Sequence, residues 1–180
     1  MVKALIILAD GFEEIEAIAP IDLLRRAGIE VLVAGLGKKQ ICSARSVAIT
    51  ADEIFDAEKH GGFDAIILPG GMPGTTNLLN DNGVIEAVKK YFAEQKLCCA
   101  ICAAPRVFDK AGILQNRNFT CFPTAAEEIK NGNYSNEAVV QDKNIITSKA
   151  AGTAVDFSYA IIEYLLGEEV ARGVVEKIYY

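Results

Sequence analysis

The stretch Leu97 to Pro105, "LCCAICAAP", carries Cys98, Cys99 and Cys102, three of the chain's five cysteines. Clustered cysteines offer four outcomes: a metal site, a disulfide, buried strand interior, or one reactive thiol. Spacing separates them. A structural zinc site needs four ligands, and this chain holds one His and no second close Cys pair, so no metal is expected. A redox CxxC pair opens a helix with both thiols in or before its first turn. Cys99 instead lies in an apolar run that reads as a strand, where successive side chains alternate faces. Cys99 and Cys102 should therefore diverge, and bridging them would require backbone movement. Cys98 and Cys99 read as strand interior, because cysteine is among the most buried residue types. Cys102 falls where the strand gives way to a helix, and it is the candidate nucleophile.

The elements that must position it follow from hydrophobic period. Val2 to Ala9, "VKALIILA", is nearly continuous and apolar, as a strand buried on both faces should be. Ile15, Ile18, Ile21 and Leu24 recur at helical spacing up to Gly28, and Pro20 is expected to kink that helix or to begin its second part. Ile29 to Leu36 is the next strand, and Ser46 to Thr50 an edge strand. The alternation repeats: strand and Gly-rich turn at Phe63 to Gly71, an amphipathic helix ending at Lys96, the strand "LCCAI", and a helix ending near Gly112. A short strand at "NFTCF", a helix at "TAAEEIKN", strands at "AVVQD" and "NIITS", and two closing helices complete the chain. Strands alternating with helices imply an α/β fold with a mainly parallel sheet covered on both faces. The 180 residues suit one domain, 1–180.

In an open α/β sheet, ligands bind beyond the carboxyl ends of the strands. Three features fall at such ends: the acids Asp10, Glu13, Glu14 and Glu16, the turn "PGGMPG", and Cys102. A thiol at a sharp strand-to-helix turn is held exposed, and the amides opening the next helix favour its thiolate. The Gly70 and Gly71 amides are candidates for stabilising an oxyanion. A buried carboxyl beside a thiolate is pushed toward its protonated form. For Glu13 and Glu14 the simpler expectation is service to the helix dipole. A Cys–His peptidase is not expected, since His60 precedes its strand and so lies at the opposite end of the sheet.

The formal net charge of -6 and the lack of a Lys/Arg-dense stretch argue against nucleic-acid binding. No segment approaches the roughly 20 apolar residues of a membrane span, and the N-terminus lacks the pattern of a signal peptide. A cytoplasmic protein with free thiols is expected.

The motifs "ADGFEEIEA", "ILPGGMPG" and "AICAAP", in that order, together with "DLLRRAGIEVLVAGL", "CSARSV" and "TSKAAGTAVDF", resemble the ThiJ/PfpI superfamily. The resemblance runs over nearly the whole chain and is greatest to the clade of the parkinsonism-associated deglycase and its bacterial homologues. It implies a flavodoxin-like three-layer sandwich and a homodimer. It implies Cys102 as the reactive cysteine and Glu16 as its protonated partner. Gly70, Gly71 and Ala103 would form the turn and oxyanion position, and Cys42 would lie near a dimer interface. The activities it implies need no cofactor: conversion of 2-oxoaldehydes such as methylglyoxal to 2-hydroxy acids, or deglycation of early protein or nucleotide adducts. An oxidation-sensing holdase using the same thiol is the alternative. Two departures stand out. Some relatives carry a His where this chain has Phe122, before Pro123, and the peptidase branch carries a His where this chain has Ala103. The first leaves more of the proton transfer to Glu16, and the second argues further against a peptidase. Cys121, next to Phe122, is a further thiol that would approach the same pocket.

Overall fold

The computed structural model describes residues 1–180. In chain order the elements are β1 (Lys3–Leu8), α1 (Glu14–Arg26), β2 (Glu30–Gly35), β3 (Gln40–Cys42), β4 (Ala48–Thr50), β5 (Glu53–Ile54) and β6 (Ala65–Leu68). Then come α2 (Gly74–Asn80), α3 (Asn82–Ala93), β7 (Leu97–Ile101), α4 (Pro105–Lys110), β8 (Asn118–Phe119), α5 (Pro123–Ala126) and β9 (Asn133–Tyr134). The chain closes with β10 (Val139–Asp142), β11 (Ile145–Ser148), α6 (Ala154–Leu166) and α7 (Glu168–Lys177).

Seven strands form the central sheet in the order β10-β11-β7-β6-β1-β2-β5. All neighbours are parallel except the β10–β11 pair. The central strands are apolar at every position because each face meets helices: β6 and β7 are buried throughout. On one face α1, α6 and α7 pack together, and on the other α2, α3 and α4. Two hydrophobic cores result. Leu5 and Ile7 join one and Ala4, Ile6 and Leu8 the other, as strand alternation requires. Cys99 belongs to the core under α1 and α6, Cys98 to the opposite one. The expected three-layer α/β architecture is the one observed.

Local differences have physical reasons. Ser46 to Thr50 does not extend the main sheet; its Ala48–Thr50 segment pairs antiparallel with β3 as a separate hairpin. The edge beside β2 is taken instead by the two residues of β5. Pro20 lies within one helix running from Glu14 to Arg26, and its missing N–H removes only the bond that the Glu16 carbonyl would accept. The helix before β7 stops at Ala93, and α2 precedes it, with Asp81 closing one helix and capping the next. The helix at "TAAEEIKN" is a single turn.

Candidate active site

β2 leaves β1 on one side of the sheet and β6 returns on the other, so the topological switch lies between β1 and β6. The loops following β1, β6 and β7 meet there. Glu13 caps α1, its carboxylate accepting the Glu16 N–H at 2.9 Å. Glu14 accepts from the Ser43 hydroxyl at 2.6 Å and the Arg45 amide at 2.8 Å. Asp10 accepts from the Cys42 amide and pairs with Lys38. Three of the four acids at this end of β1 are thus occupied in holding local structure. Glu16 alone turns inward, 1% exposed.

Its carboxyl is tied on three sides. Oε2 accepts the Gly70 N–H at 2.8 Å, and the carboxyl also meets the Ala151 amide and the Cys102 thiol. The turn offering Ala151 is itself pinned, since the Thr153 hydroxyl donates to the Ala150 carbonyl and lies 2.6 Å from the Ser148 hydroxyl. Gly70 must be glycine: a Cβ there would stand 2.7 Å from Glu16 Oε2 and 2.8 Å from Cys102 Cβ. Gly71 adopts φ +91°, and a Cβ on it would strike the backbone of Phe12 and Glu13.

Cys102 follows β7 directly with φ +63°, a left-handed conformation that costs a non-glycine residue about 1–3 kcal/mol. Both of its backbone groups are fixed: its N–H donates to the Ser148 carbonyl at 2.9 Å, and its carbonyl accepts from Phe122 at 2.8 Å. This is the strand-to-helix elbow anticipated from sequence. The Gly71 and Ala103 amides point at the sulfur. Gly70's amide serves Glu16 instead, so the amides beside the thiol are those of Gly71 and Ala103.

Burial raises the Glu16 carboxyl to about 7, and the charge of Glu13 adds to this, while hydrogen bonds from Cys102, Gly70 and Ala151 oppose it. The Cys102 thiol is pushed up to about 12, first by burial and then by the charge and hydrogen bond of Glu16, against the pull of the Ala103 and Gly71 amides. Helix α4 is only six residues long, and its start does not outweigh burial. The upward shift therefore departs from the expectation of a thiolate favoured by the helix alone. Burial is its largest cause, and the charge of an ionised Glu16 adds to it. When the proton sits on Glu16, the repulsion is gone and the carboxyl donates to sulfur. With the Glu16 carboxyl raised to about 7 and the thiol above its ordinary range, the two groups are coupled, and which one holds the proton decides whether the sulfur is a thiolate.

Cys102 opens onto a cavity of about 250 Å³. Met72, Phe122 and Ala125 supply apolar wall, and Thr124, Arg106 and Glu128 supply polar groups. Arg106 and Glu128 escaped sequence reading, because a charged residue just after a helix-opening proline looks like helix surface. Folding the α5 turn over α4 brings the two together. Cys121 is fully buried in the core opposite to Cys99 and does not line this cavity. Cys42 is exposed on β3, and all five cysteines are free. His60 is buried before β6, between the Asp56 amide and Glu53, at the end of the sheet away from Cys102. Among all residues no cluster of His, Cys, Asp and Glu suits a metal ion.

The sequence and the fold are similar to those of known proteins. A model of the "DJ-1/PfpI family" matches residues 2–164. The Parkinson disease protein 7 homolog of Danio rerio is 41% identical over 177 residues, covering 96% of this chain and 94% of the relative. A glutathione-independent glyoxalase of Caenorhabditis elegans is 35% identical, covering 98% and 95%. Among solved structures, DJ-1beta of Drosophila melanogaster superposes with a TM-score of 0.93 at 36% identity, covering 98% and 97%. The oxidized DJ-1 of Toxoplasma gondii gives 0.93 at 32%, covering 100% and 99%. With the matched model spanning most of its length and these relatives aligned end to end, the chain belongs to the DJ-1/PfpI family.

Proposed function

We propose that this protein is a cofactor-independent cysteine enzyme acting on 2-oxoaldehydes, converting methylglyoxal to lactate and acting on early methylglyoxal adducts of proteins or nucleotides. The observation that carries this reading is the buried Glu16–Cys102 pair at the mouth of a small cavity. The C. elegans relative named a glutathione-independent glyoxalase supports it.

With the shared proton on Glu16, the Cys102 thiolate adds to the aldehyde carbon. The resulting alkoxide takes the Glu16 proton and becomes a hemithioacetal. Glu16, now a carboxylate, removes the hydrogen on that carbon and returns it to the neighbouring carbon, while the hydroxyl proton passes to the neighbouring oxygen. This isomerises the hemithioacetal to a thioester of the 2-hydroxy acid. Water cleaves the C–S bond, releasing the acid and restoring the thiol. The Gly71 and Ala103 amides, already aimed at sulfur, reach the oxygen on the adjacent carbon. No imidazole is needed where Phe122 stands, because one carboxyl both gives and takes the proton. Lactate formation from methylglyoxal should vanish in Cys102→Ser; turnover surviving that change overturns the reading.

A second reading uses the same thiol as an oxidation sensor that alters partner binding or client protection. It is favoured by the oxidized state of the Toxoplasma relative and by a carboxyl placed to donate to a sulfinate. Unchanged client protection after stoichiometric peroxide would count against it. A homodimer belongs to the same proposal: Ile15 and Ile18 are exposed side by side on α1, 56% and 44%, as an apolar face fit for a second copy.

A further inference from the structure

We infer that Arg106 is a specificity-determining residue that directs the Cys102 cavity toward substrates carrying an anionic group, such as a 2-oxoaldehyde ending in a carboxylate. This rests on the proposed 2-oxoaldehyde chemistry and names its substrate class. Three observations carry it. Arg106 is the only cationic side chain lining the cavity that holds Cys102. Arg106 and Cys102 line one cavity of about 250 Å³, so a small substrate bonded to the sulfur shares that cavity with the guanidinium. The ion pair between Arg106 and Glu128, at 2.5 Å, is asymmetric: the arginine side chain is 18% exposed and the glutamate 55%.

Glu128 is more than half exposed, whereas Arg106 is mostly buried, so the guanidinium is the less hydrated of the two charges. A ligand in the cavity therefore meets it as the one cationic group of the lining. Glu128 also holds the guanidinium fork in place, and it competes with an incoming anion for the same donors. Thr124 offers a hydroxyl on the same wall.

The test separates charge recognition from turnover. Iodoacetate and iodoacetamide are close in size and alkylate the same sulfur, but only iodoacetate is an anion. Their rate ratio at Cys102, read by mass mapping at one pH, cancels the thiol's own reactivity. Arg106→Gln should lower the iodoacetate-to-iodoacetamide ratio about fivefold, the scale of one unit charge about 4 Å away in water. Glu128→Gln should raise it, and Arg106→Lys should keep most of it, since the charge survives and only the fork is lost. In turnover, Arg106→Gln should lower kcat/KM for a carboxylated 2-oxoaldehyde relative to methylglyoxal by a similar factor, mainly through KM. A ratio unmoved by Glu128→Gln, together with no fall in folded Arg106→Gln protein, overturns the assignment. If wild type shows no 2-oxoaldehyde turnover at all, the enzymatic reading fails, and the alkylation ratio still decides whether Arg106 governs anion access.

Discussion

At the scale of single residues, everything turns on how Glu16 and Cys102 divide a proton. Glu16 is an acid whose folded pKa lies above its ordinary value of 4.5, at about 7. It binds its proton more tightly folded than unfolded, so its contribution to stability is full below pH 4.5 and is lost as pH rises through 7. The loss should be of order 1–3 kcal/mol, and denaturation at pH 5 and pH 8 measures it. Wild type should weaken between those pH values, while Glu16→Gln should show a much flatter profile. Gly70→Ala tests the same contact sterically. Its methyl group would meet both Glu16 and Cys102, so the variant should lose stability by about 1–3 kcal/mol and lose lactate formation, seen in melts and assays of the same sample.

At the scale of elements, β7 sorts the cysteines. Cys98 and Cys99 point into opposite cores, and burial raises both thiols, Cys98 to about 12. Cys121 is likewise raised by burial. Native alkylation at neutral pH should label Cys42 and Cys102 and spare Cys98, Cys99 and Cys121; peptide mass mapping reads this directly. Strand alternation made the burial of Cys98 and Cys99 legible in the sequence, though not that of Cys121, which was expected at the pocket, and the apolar runs of β1, β2, β6 and β7 made the sheet legible. The β3–β4 hairpin was not, because Ala48–Thr50 carries the same β-forming residues whether it joins the main sheet or pairs with Gln40–Cys42. Helix α2 was missed for being only seven residues long and running straight into α3 through Asp81. At the site, residue types and strand ends pointed to Cys102 and left Asp10, Glu13, Glu14 and Glu16 as candidate acids; only the family resemblance singled out Glu16. They did not reveal that Gly70's amide serves Glu16, or that the turn after β11 brings in Ala151. Arg106 and Glu128 meet only through tertiary folding.

At the scale of the whole molecule, the parallel sheet gathers three loop ends at its switch point and leaves His60 at the far end. The architecture thus decides which titratable groups meet, and it makes a carboxyl rather than an imidazole the thiol's partner. No helix is long and apolar enough to cross a membrane. The exposed Ile15 and Ile18 on α1 carry the proposed dimer. Ile18→Glu should shift sedimentation from dimer to monomer at micromolar protein, and a wild-type monomer would refute that assembly.

The central claim is that Glu16 holds the proton that makes Cys102 a nucleophile. The direct measurement is the pH dependence of Cys102 alkylation, mapped by mass, in wild type and Glu16→Gln. The account predicts a wild-type reactivity step below the ordinary thiol value of about 8.5 that moves upward past it once the carboxyl is gone. A step that moves downward in Glu16→Gln would mean that Glu16 only repels the thiolate, and the proposed proton transfer would be contradicted.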